Sequence, residues 1–166
     1  MSRTPNLYSP HIEVVTLDVE VPEDQGLKMG VAPDVVAPEE TTMPTGRLLL
    51  LEDRDDFRDV LRDHLSSKFQ VALAPSGVEG LREIRENAFD IILCDMMMPR
   101  MGGEMFYWAV TRSRPATAKR FIFFTGHRNN PALEYFFNRV NATVLIKPFQ
   151  LKELDATIDS VLRRLL

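Results

Sequence analysis

ILCDMMMPRMGG, residues 92–103, sets the reading of this chain. An unbroken apolar run, Ile91–Cys94, meets Asp95 and then breaks at Pro99, Gly102 and Gly103. Such a run suits a strand covered on both faces, which needs no polar alternation. A carboxylate at its end stands where open parallel sheets form their sites, beyond the carboxyl ends of the strands.

The same unit repeats outward in both directions. Arg47–Leu51 and Gln70–Ala74 read as strands before it, and Phe121–Phe124 and Val144–Ile146 as strands after it. Helical spacing fills the gaps: Phe57, Val60, Leu61, His64 and Leu65; Leu81 and Ile84; Met105, Phe106, Ala109 and Val110; Leu133, Phe136, Phe137 and Val140. Leu151, Leu154, Ile158, Val161, Leu162 and Leu165 form a last amphipathic helix. Ser76 and Glu79 fit a capping box. Asn130 and Pro131 fit a cap and first helical position. Five strand–helix units in a row imply an α/β fold, a parallel sheet with helices on both faces. Right-handed crossovers restrict its topology further.

The strand ends carry the chemistry. Glu52 and Asp53 follow the first strand, Asp95 the third, Thr125 the fourth and Lys147, with Pro148, the fifth. Crowded carboxylates repel: a like-charge pair ~4 Å apart costs on the order of 4 kcal/mol at an effective dielectric near ~20. A hard divalent cation such as Mg²⁺ relieves that repulsion through oxygen ligands. One carboxylate can then attack phosphorus as a nucleophile. Negative charge spreading over the phosphoryl oxygens calls for an ammonium and a hydroxyl, roles that fit Lys147 and Thr125.

LLLLEDR (48–54), ILCDMMMPRMGG (92–103), FFTGH (123–127) and LIKPF (145–149) resemble, in order, the four motifs of response-regulator receiver domains of two-component signalling. The intervals agree as well, 30 positions from Asp95 to Thr125 and 22 from Thr125 to Lys147. The resemblance covers residues 46–166. It implies a flavodoxin-like, doubly wound five-stranded sheet of order 2-1-3-4-5 with five helices. It makes Asp95 the phosphoacceptor, served by Thr125 and Lys147, and implies Mg²⁺ held by Glu52, Asp53, Asp95 and the backbone carbonyl of Met97. It implies a histidine kinase or histidine phosphotransfer protein as donor and a downstream protein as target. It also implies a homodimer surface on the last two helices and a cis peptide before Pro148. TGHRNN…KPF, with a phenylalanine-rich helix between, is similar to receivers of hybrid sensor kinases.

Two positions depart from the pattern. Glu52–Asp53 stands where Asp-Asp is commoner; the longer side chain is expected still to reach a metal-bound water. Val144 stands where many receivers carry an inward-swinging Tyr or Phe, and valine cannot make that swing. A receiver-like scaffold that binds partners whatever its phosphorylation state is therefore the alternative to a phosphorylated switch. A hydrolase turning over an aspartyl phosphate would want an acid two residues after the nucleophile, where Met97 stands. The expectation is thus a protein that is not an enzyme beyond self-phosphorylation and slow self-dephosphorylation.

The remaining residues give bounds. Residues 1–45 hold six of the 11 prolines and read as a largely extended extension and linker, with IEVVTLDVEV and Leu27–Val31 able to pair as a hairpin over 12–31. Net charge is −4, so a nucleic-acid-binding face is not indicated. The single cysteine, Cys94, alternates away from Asp95 into the core and suits a reducing compartment. No apolar run nears the ~18 residues of a membrane span, and MSRTPNLYSP lacks the pattern of a signal peptide. The expected setting is bacterial cytoplasm. His11, His64 and His127 show no ligand spacing; His127, two positions after Thr125, stands where the family varies the residue that influences phosphoryl loss. Met96–Met98 and Trp108 read as loop and packing residues, and Arg163–Arg164 as suited to a helix C-terminus.

Overall fold

The computed structural model describes residues 45–127 and 129–166. The hairpin and linker expected over residues 1–44 lie outside them. Strands β1 (Gly46–Leu51), β2 (Phe69–Ala74), β3 (Ile91–Asp95), β4 (Phe121–Thr125) and β5 (Thr143–Ile146) alternate with helices α1 (Asp55–Leu65), α2 (Gly77–Glu86), α3 (Gly103–Ser113), α4 (Pro131–Val140) and α5 (Leu151–Leu165). The sheet is parallel throughout, in the order β2-β1-β3-β4-β5, as the motifs implied.

Strand alternation sorts the core into two layers. Leu48, Leu50, Ile91, Leu93, Ile122 and Phe124 face one side and pack with Leu61 and Leu65 of α1 and Leu154, Ile158 and Val161 of α5. Leu49, Leu51, Ile92, Cys94, Phe121 and Phe123 face the other and pack with α2, α3 and α4 through Ile84, Phe106, Tyr107, Val110 and Phe136. The unbroken apolar spelling of β1, β3 and β4 is the mark of strands buried on both faces. Strands β3 and β4 run one residue beyond expectation, so Asp95 and Thr125 are last strand residues. The ladder explains it: the Met96 N–H still donates to the Phe124 carbonyl, at 3.2 Å.

Helix ends partly follow the sequence reading. Asn130 caps α4, its side-chain oxygen accepting from the Ala132 and Leu133 N–H groups at 3.0 and 3.4 Å, with Pro131 in the first helical position. Ser76 caps α2 by accepting from the Val78 N–H, but its hydroxyl donates to Glu79, whose carboxylate also takes Arg100. The Glu79 carboxylate is held below its ordinary pKa chiefly by the Ser76 hydroxyl. A closed capping box forms instead on α5, between Gln150 and Glu153. A 3-10 turn, Pro115–Arg120, leads into β4 without any apolar periodicity to announce it.

Two contacts fix the helices, one against the sheet and one between two helices. Gly80 lets α2 approach so closely that an added Cβ would stand 2.6 Å from Leu51 Cδ2 and 2.9 Å from Phe106 Cε2. An alanine gains helix propensity of about 1 kcal/mol, whereas overpacking a buried contact costs about 1–3 kcal/mol. Packing therefore wins, and Gly80→Ala is expected to lower stability by roughly 1 kcal/mol in urea unfolding; a variant as stable as the parent would refute the tight contact.

His64 Nε2 of α1 donates to the Asp155 carboxylate of α5 at 2.9 Å, and Lys68 lies 3.3 Å from the same carboxylate. Burial pushes the Asp155 carboxyl up, but the His64 hydrogen bond and the charges of His64 and Lys68 outweigh it and hold the group below its ordinary pKa. A depressed carboxyl stabilises the fold above its unfolded pKa and loses that contribution as pH falls through the folded value. The stability advantage of the wild type over Asp155→Asn is thus expected to hold near neutrality and to shrink below about pH 4. Denaturant titrations at stepped pH would show it; an advantage that grew on acidification would contradict it.

Candidate functional site

The carboxyl ends of β1 and β3 are neighbours in the sheet, and their acids meet there. Oxygens of Glu52, Asp53 and Asp95 all lie within 4.8 Å of one another. Glu52 is 0% exposed and Asp95 5%, while Asp53 opens the group to solvent. From the end of β5, Lys147 Nζ reaches Glu52 Oε2 at 2.9 Å and Asp95 Oδ2 at 2.7 Å. The peptide after it, Lys147–Pro148, is cis, as the resemblance implied.

Each carboxylate has further donors. Asp95 Oδ1 accepts from the Met97 N–H at 3.0 Å. Glu52 Oε1 accepts from the Arg54 N–H at 3.0 Å. Burial pushes the Glu52 carboxyl above its ordinary pKa, and the Asp95 charge adds to that, while Lys147 and the Arg54 N–H oppose it. Two buried carboxylates share one ammonium and the third acid lies at their side, so the pocket carries an excess of negative charge. Its donors are hard oxygens, a set that fits a divalent cation better than a soft metal.

Thr125 is 1% exposed at the end of β4 and its carbonyl accepts from the Lys147 N–H at 2.9 Å. Its hydroxyl accepts from the His127 N–H at 3.1 Å and, among the described residues, makes no hydrogen bond to Glu52, Asp53 or Asp95. Glu52, Asp53, Asp95 and Lys147 are therefore brought into one cluster, with Thr125 joined to it through the backbone. The Met97 backbone touches Asp95, while its side chain is 55% exposed. His127 is exposed and contributes its N–H rather than its ring. Cys94 lies fully buried on the opposite face, where burial raises its thiol well above its ordinary pKa. Val144 pairs with Phe123 and packs, half-buried, against the layer that holds Phe123 and Phe136.

Other residues of the site were not singled out from sequence. The Lys147 ammonium lies 4.8 Å from the ring centroids of both Phe57 and Phe124. Arg58 of α1 donates to the Glu52 carbonyl at 2.9 Å, tying the β1–α1 connection down. Behind Asp95, Gly103 allows α3 to begin so near that an added Cβ would stand 2.6 Å from the Asp95 carbonyl oxygen. The glycine pair after Pro99 was the only signal in the sequence for that approach. Phe57 read only as one more apolar position of a helix.

A family model described as response regulator receiver domain matches residues 48–159. The transcriptional activator protein PfeR of Pseudomonas aeruginosa is 34% identical over 124 residues, which cover 74% of this chain and 40% of that protein. A probable chemotaxis protein CheY of Rhizobium etli is 29% identical over 118 residues, 69% of this chain and 91% of that one. Among solved structures, chemotaxis protein CheY4 of Vibrio cholerae superposes with a TM-score of 0.63 at 27% identity, over 69% of this chain and 97% of that chain. The chain spans half or less of the length of several curated relatives it matches.

Proposed function

The chain belongs to the response-regulator receiver family of two-component signalling, and from that premise we propose that Asp95 takes a phosphoryl group from a phosphohistidine and that this chain signals through protein contact. The observation that carries the proposal is Lys147 lying on both Asp95 and Glu52 beside Asp53. A structural ion pair needs one carboxylate; here one ammonium serves two buried ones next to a third.

In this reading an Asp95 oxygen forms a bond to phosphorus as the bond from phosphorus to the donor histidine nitrogen breaks, and the donor ring, protonated on its other nitrogen, leaves as neutral imidazole with the electron pair of the broken bond. The Met97 N–H holds Asp95 Oδ1 and so fixes the carboxylate plane. Lys147 moves from a carboxylate oxygen to a phosphoryl oxygen. The Thr125 hydroxyl already accepts from the His127 N–H, which leaves its own proton free to donate to another phosphoryl oxygen. Glu52, Asp53 and Asp95, with the Met97 carbonyl, would hold Mg²⁺. When bound, it supplies the positive charge that crowded carboxylates and a phosphoryl group both require. The donor is a histidine kinase or a histidine phosphotransfer protein, the target is a protein, and the setting is the cytoplasm. Among the described residues no helix is long and apolar enough to cross a membrane. Met97, two positions after Asp95, cannot relay a proton, so the aspartyl phosphate is lost slowly to water rather than turned over.

Val144 favours a second reading, a scaffold that binds its partner regardless of phosphorylation, because no aromatic at that position can follow Thr125. Intact mass after treatment with a small phosphodonor separates the two. We expect one added phosphoryl group, dependent on Mg²⁺ and absent from Asp95→Asn. No adduct under any condition would favour the scaffold, and continuous phosphate release would favour an enzyme. Lys147→Ala is expected to keep the fold and lose most of the phosphorylation-linked change in partner binding; an equal response in the two proteins would argue against the role given to the lysine.

A further inference from the structure

An ammonium on a four-carbon stem is a mobile charge, with rotamer freedom to lose when it is held. Two carboxylates bind the Lys147 ammonium. Two aromatic rings lie against it as well. Phe57 comes from α1 and Phe124 from β4, each with its centroid 4.8 Å from Nζ, inside the ~6 Å over which a ring face attracts a cation. The two rings meet edge-on at 6.1 Å, and Phe149, two residues after the lysine, meets them edge-on at 5.9 and 6.2 Å. Phe124 is fully buried, and its ring is fixed in the α1–α5 core layer. An uncharged side chain would fill this space as well, but these rings stand around a charge.

We propose that Phe57 and Phe124 are positioning residues, a two-ring cradle that holds the Lys147 ammonium over the acid pocket while its carboxylate partners change. The proposal rests on the phosphoacceptor reading of Asp95. The carboxylate contacts are the ones altered when Asp95 becomes an acyl phosphate. The ring contacts are not, because the rings belong to α1 and β4 and carry no charge to transfer. The cradle therefore narrows the sweep of Nζ, so that the ammonium is already placed when the phosphoryl oxygens arrive.

The test uses Phe57, which is half-buried and tolerates leucine by volume. In the full chain, Phe57→Leu should lower the first-order rate of Asp95 phosphorylation at saturating acetyl phosphate roughly three- to tenfold, with the half-saturating donor concentration little changed. Phe57→Tyr should restore the rate. In a Lys147→Met background, Phe57→Leu should cause no further loss, because the rings then have no ammonium to hold. An unchanged rate in Phe57→Leu, no rescue by tyrosine, or the same fractional loss in the Lys147→Met background would overturn the cradle. A wild type that is never phosphorylated would overturn the functional reading instead. The cradle is then decided by the Lys147 ε-methylene proton resonances. Ring currents should move them upfield in the wild type and release them in Phe57→Leu, and resonances at random-coil positions in the wild type would refute it.

Discussion

Two buried carboxylates cannot both stay charged side by side without a cation. That constraint organises this molecule's carboxyl edge. Glu52 and Asp95 end up side by side because β1 and β3 are adjacent and in register, Leu51 opposite Cys94. Lys147 answers them from the far side of β4, and its backbone is locked to Thr125 before its side chain crosses to the acids. The balance is incomplete by design of the donor set, since Asp53 adds a third carboxylate. Removing a partner from a buried pair costs on the order of 3–5 kcal/mol where the charge left behind cannot be neutralised. Glu52, its carboxyl already pushed up by burial, has the simpler way out of taking a proton.

The rest of the fold serves that edge. Fully buried leucines of β1 and the Ile/Leu run of β3 set the height at which their acids emerge, and Gly103 brings α3 against the Asp95 carbonyl. Helix α1 contributes a ring to Lys147 and an arginine to the Glu52 carbonyl. The same helix is fastened to α5 by His64 and Asp155, far from the chemistry. Packing and site are thus built from the same few elements.

The fold and four of the site's side chains could be read from the chain because both are written at strand ends. An apolar run buried on both faces has a plain spelling, and a polar residue that ends it is conspicuous. Phe57 and Phe124 could not be read as they act, because a phenylalanine at helical spacing or inside a strand looks the same whether its ring faces leucine or an ammonium. The α5 cap escaped because glutamine is an uncommon N-cap, and the α2 box failed to close because the Ser76 hydroxyl and Arg100 engage the Glu79 carboxylate. The Thr125 hydroxyl turns to its own loop for a related reason: the His127 N–H is local and always present.

Sheet order has a further consequence for how such a site can be disabled. Glu52, Asp53, Asp95 and Thr125 end or follow the interior strands β1, β3 and β4, whereas Lys147 follows β5, a strand of four residues that among the described residues lies at the sheet's edge and pairs with β4 alone. Short edges open locally at lower free energy than the centre of a sheet. Fraying there strips the ammonium from the acids while the acids themselves stay seated, so the pocket loses its cation long before it loses its shape.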